Sequence, residues 1–130
     1  MFELTIKGQV YQFNFGMGFL REINKKVGTP VDGLPDVKKN VGLRYKLAGL
    51  FDGDLEDLTE ILLAANKGMS PRLSVENLDY YIDNECEDVE ALFAEVIDFL
   101  KNVNACKKTM NELQEMADQE KAKREKVAQN

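Results

Sequence analysis

Residues 88–117 read DVEALFAEVIDFLKNVNACKKTMNELQEMA, and the width of the apolar stripe along them decides the fold. From Val89 to Val103 the stripe is broad: Val89, Leu92, Phe93, Val96, Ile97, Phe99, Leu100 and Val103 fill the a, d and e positions of a heptad, the pattern of a helix lying on a core. From Cys106 it narrows to the a/d seam. Cys106, Met110, Leu113 and Ala117 keep the spacing, flanked by Lys107, Lys108, Asn111, Glu112, Gln114 and Glu115, which suits contact with another helix. The pattern predicts one continuous helix from Asp88 to Ala117, its first half belonging to a domain and its second facing a partner or a second copy. The plainer alternative is a helix that leaves its core and frays in solvent. On this basis residues 1–104 form a globular domain, and residues 105–130 a helical extension or flexible charged tail.

Upstream, Phe2, Leu4 and Ile6 alternate with Glu3, Thr5 and Lys7, and Tyr11, Phe13 and Phe15 alternate with Gln12 and Asn14. With Gly8-Gln9 between them, the two runs predict a hairpin with a tight turn and one aromatic-rich face. Phe19, Leu20, Ile23 and Val27 then fall at helical spacing up to Gly28. Residues 31–35, with Gly33 and nearby prolines, predict a loop, after which Asp36 caps a helix carrying Val37, Val41, Leu43, Leu47 and Leu50. Gly42 and Gly49 weaken that helix or allow close packing. Asp54 caps a further helix through Leu55, Leu58, Ile61, Leu62 and Ala65, and Ser74 a short one with Leu78, Tyr81 and Ile82. The expected class is therefore α+β and mainly α: an N-terminal β-hairpin followed by four or five helices, the last one long.

A chain of 130 residues buries about two-thirds of its unfolded surface and needs neither metal nor disulfide to fold. Cys86 and Cys106, about 30 Å apart on one helix, are expected to be free thiols of a reducing cytosol. The start Met1-Phe2-Glu3-Leu4 lacks the basic and apolar regions of a secretory signal, and no apolar run approaches a membrane span, so the expectation is a soluble intracellular protein without membrane contact. Charge is segregated: residues 1–50 carry 8 basic and 4 acidic side chains, 51–100 carry 2 and 14, and 101–130 carry 7 and 5. The only basic cluster, Lys38, Lys39, Arg44 and Lys46, is short beside the acidic half, which argues against nucleic-acid binding.

Chemistry is scarce. The chain has no histidine, which removes Ser-His and Cys-His nucleophiles and the commonest transition-metal ligand. Asp52-Gly53-Asp54 departs from the calcium-loop order at Glu56-Asp57-Leu58 and serves as a helix start. Glu85, Glu87, Asp88 and Glu90 likewise suit a helix N-terminus, and Gly16-Met17-Gly18 lacks the rest of a phosphate loop. The expectation is no enzyme, no metal and no cofactor. A small acidic adaptor that oligomerises and docks on one folded partner fits these features.

The ordered features also resemble a known family. Phe2-Glu3-Leu4-Thr5-Ile6-Lys7-Gly8 leading through Tyr11, Phe13 and Phe15, then Ala64-Ala65-Asn66, Pro71-Arg72-Leu73, Tyr81-Ile82-Asp83, Glu87-Asp88-Val89-Glu90-Ala91-Leu92-Phe93 and Phe99-Leu100 are similar to the tail assembly chaperones of long-tailed siphophages infecting Gram-positive bacteria. The resemblance covers about residues 1–103. It implies binding to the tape measure protein in the host cytoplasm before the tail tube polymerises, absence from the mature virion, and no catalytic residues. It further implies self-association, and a longer frameshifted form that contacts the tail tube protein. The contact residues expected from the seam are Cys106, Met110, Leu113 and Ala117, joined by Tyr11 or Phe13 of the hairpin unless those aromatics pack in the core.

Overall fold

The computed structural model describes residues 1–128. β1 (Phe2–Ile6) and β2 (Gln9–Phe13) pair antiparallel, Phe2 opposite Phe13 and Ile6 opposite Gln9. Lys7 and Gly8 form the two-residue turn with φ of 50° and 76°, the doubly left-handed backbone that matches the twist of a hairpin. Alternation sends Phe2, Leu4, Ile6, Tyr11 and Phe13 inward. The rings of Phe2, Phe13, Phe15, Phe19 and Phe99 meet at centroid distances of 5.1–6.1 Å, mostly edge to face. The aromatic face is thus covered, as expected.

α1 (Met17–Asn24) stops short of Val27. The segment that follows corrects the sequence reading: in place of a loop and a helix capped by Asp36, β3 (Gly28–Val31) and β4 (Leu34–Asn40) form a second hairpin, closed at its base by Val41 N–H donating to the Val27 carbonyl at 2.8 Å. Pro30 and Pro35 disfavour helix over this stretch, and Asp32-Gly33, with Gly33 at φ 78°, supplies the turn. Val37 therefore lies in β4, and α2 (Gly42–Phe51) begins one residue beyond Val41.

α2 buries Leu43, Leu47 and Leu50 and crosses the end of α1 so closely that a Cβ at Gly42 would overlap the Ile23 carbonyl. α3 (Leu55–Asn66), α4 (Val75–Tyr80) and α5 (Val89–Lys101) each start where an oxygen-bearing side chain caps them. Asp54 accepts from Asp57 N–H at 3.0 Å, Ser74 from Asn77 N–H at 3.1 Å, and Asp88 from Ala91 N–H at 3.1 Å. Between α4 and α5, Tyr81–Glu85 widen into one π-helical turn.

The expected continuous helix from Asp88 is two. α5 ends at Lys101, and the chain turns through residues 102–106 before α6 (Lys107–Ala128). Asn102 is the breaker: its Nδ2 donates to the Asp98 carbonyl at 3.1 Å, competing for a group that a continuing helix would bond through its backbone. The turn brings Cys106, Met110 and Leu113 back onto the body, where α6 packs against α2 and α5. The class is as expected, α+β and mainly α with an N-terminal hairpin and a long last helix. The described residues form six α-helices because the long stretch divides. No described helix is long and apolar enough to cross a membrane.

Candidate protein-interaction surfaces

Of the six residues expected to meet a partner, five are spent inside the fold. Phe13, Cys106 and Met110 are fully buried, Leu113 and Tyr11 nearly so, and all five belong to one hydrophobic core. The narrow seam has a different cause: α6 lies on its own α2 and α5 with one edge toward them, so two or three apolar residues suffice. Arg44 on α2 clamps that contact, its guanidinium donating to Glu112 of α6 at 2.7 Å and holding the Glu112 carboxyl below its ordinary pKa. Cys86 and Cys106 are free thiols, and burial pushes the Cys106 thiol up to about 11.

Ala117 alone is exposed, and it marks a change along α6. Leu113 is the last buried residue; from Glu115 to Val127 every side chain is exposed, a helical rod of about 20 Å at 1.5 Å per residue. Met116 and Val127 stand out on it at 55% and 74% exposure, and eleven residues, about three turns, put them on one face. Gln129 and Asn130, the end of the expected tail, lie outside the described residues.

Two further surfaces escaped the sequence reading. The β3–β4 hairpin is an arm whose strands have each other as main neighbour; Leu34 and Val37 are about half exposed, beside exposed Lys38 and Lys39. Asp32-Gly33 between Val31 and Leu34 was the signal for it. The second is a groove of about 410 Å³ between α3 and the π turn, with Leu55 and Ile82 as its apolar part and Glu56, Asp79 and Asp83 at its rim. Nothing in the sequence marks a π turn, so the groove could not be read there. Among the described residues, no group of three His, Cys, Asp or Glu side chains is arranged to hold a metal.

A family sequence profile described as phage tail assembly chaperone protein, TAC, matches residues 3–115, from β1 to the point where α6 leaves the body. No curated protein and no solved structure matches the chain.

Proposed function

We propose, for a chain that belongs to the phage tail assembly chaperone family, that it binds the tape measure protein, keeps it in solution in the bacterial cytoplasm while the tail is assembled, and is absent from the mature virion. The observation that carries this reading is the outer half of α6: thirteen residues, 115–127, are held in helix with every side chain exposed. A helix that short is marginal in water by itself, and here its stability is borrowed from Cys106, Met110 and Leu113 at its root.

The expected client is a long helical polypeptide with exposed apolar stripes. Such stripes aggregate unless another surface covers them. A rod presenting Met116, Ala117 and Val127 interspersed with Glu120, Lys121, Lys123 and Arg124 offers a helix-to-helix contact that mixes apolar and charged groups. Each contact is small, so many copies act together along one client. Tube subunits polymerising on the tape measure displace them by competition. The role is non-catalytic, and a longer frameshifted form would add contact with the tail tube protein.

Co-expression tests the reading. The tape measure protein produced with the full chain is expected in the soluble fraction, and with a chain ending at Gln114 in the pellet. The shortened chain keeps every buried residue among the described ones and so serves as a folded control. A tape measure protein that fractionates identically with the full chain, the shortened chain or neither would overturn the proposal.

A further inference from the structure

The arm and the groove are complementary in both apolar and charged character. The arm carries exposed Leu34 and Val37 beside Lys38 and Lys39; the groove sets Leu55 and Ile82 among Glu56, Asp79 and Asp83. None of these lysines and carboxylates is engaged in an ion pair among the described residues. We propose that the β3–β4 arm of one copy seats in the α3/π-turn groove of a second copy, placing one face of β4, which carries either Val37 with Lys39 or Leu34 with Lys38, so that its apolar residue meets Leu55 and Ile82 and its lysine meets Asp79 and Asp83.

Two observations favour this occupant. A two-stranded hairpin without cover is marginal in water, and every described side chain of β4 is exposed, so the arm is a surface built to be covered. Within one chain the arm and the groove do not meet: the arm is rooted between α1 and α2, and the groove lies between α3 and the π turn.

Arm-into-groove is a heterologous contact, using different patches on the two copies. Each added copy leaves one arm and one groove free, and the assembly is open-ended. This inference is independent of which client the chain binds.

Sedimentation and light scattering of the purified full chain test it. The average mass should rise with concentration without stopping at two copies, and fall as salt screens the pairs. Lys38→Glu with Lys39→Glu, or Asp79→Lys with Asp83→Lys, should each weaken association by about tenfold or more, because like charges then face each other. A chain carrying all four reversals should associate again, which separates lost complementarity from lost folding. The proposal is overturned if the wild-type chain stays at one-copy mass at every concentration, if its mass stops at two copies, if either pair of reversals leaves association unchanged, or if the fourfold variant fails to recover it while keeping wild-type circular dichroism.

Discussion

The side-chain oxygen of Asn66 accepts the backbone N–H of Leu73 at 2.6 Å, and this bond fastens the end of α3 to the segment leading into α4. The Nδ2 of the same residue donates to the carbonyls of Gln12, at 3.0 Å, and Pro71, at 3.2 Å. Asn66 is fully buried, the polar residue at the centre of an otherwise apolar core. One amide thus joins β2, α3 and the 71–73 segment. Ala64-Ala65-Asn66 and Pro71-Arg72-Leu73, two of the stretches that carry the family resemblance, are the two sides of this cross-link.

Replacing Asn66 by alanine removes these bonds and leaves Leu73 N–H without its partner. The expected loss is about 3 kcal/mol, from three bonds of about 1 kcal/mol each. Urea denaturation measures it. A loss below about 1 kcal/mol would show that water or a rearranged loop replaces the amide.

Met110 and Leu113 act as core residues, so Met110→Ala and Leu113→Ala are each expected to destabilise the fold by about 2–4 kcal/mol. Met116→Ala, three residues beyond Leu113 on the exposed rod, should change stability by less than about 0.5 kcal/mol. Equal, small effects at all three positions would return the seam to the surface.

The sequence was legible where local chemistry and periodicity agreed. The β1–β2 hairpin and the caps at Asp54, Ser74 and Asp88 follow from alternation and from short oxygen-bearing side chains ahead of apolar runs. It misled where an apolar period ran through a break. The heptad spacing from Leu100 to Cys106 looks continuous, yet Asn102 and Asn104 provide the polar interruption at which the chain turns. The same periodic bias drew Val37 into a helix despite the prolines and the Asp32-Gly33 turn. Candidate contacts suffered most, because a one-dimensional stripe states that a face is covered and leaves open which element covers it. For Cys106, Met110 and Leu113 the cover is α2 and α5 of the same chain.

The two thiols should differ sharply in reactivity. Cys86 is partly exposed, whereas Cys106 is fully buried and its thiol is shifted up to about 11, so almost no thiolate is present at neutral pH. Mass spectrometry after brief alkylation of the native protein should find a single modification, at Cys86, with Cys106 reacting only in denaturant. Modification of both at similar rates would mean that the turn at residues 102–106 opens readily.

Lys46 links α2 to α3 through Glu60, at 2.8 Å, and Asp57, at 3.1 Å. The Glu60 carboxylate beside it, joined by the hydrogen bond to Asp57, outweighs burial and raises the lysine above its ordinary 10.5. A group whose folded pKa is raised stabilises the fold fully below its unfolded pKa and loses that contribution as pH climbs through the folded value. Stability should therefore decline from about pH 10.5 upward, and Lys46→Met should flatten that part of the profile. Identical alkaline profiles for the two proteins would contradict the assignment.

Client binding in many copies is the central claim, and it is read most directly by affinity purification of the tagged chain from a phage-producing culture. Mass spectrometry identifies the co-purifying protein, and light scattering gives the number of copies on it. The expected result is the tape measure protein, one molecule carrying many copies of this chain. One folded partner at a fixed low stoichiometry, or this chain bound in mature tails, would contradict it.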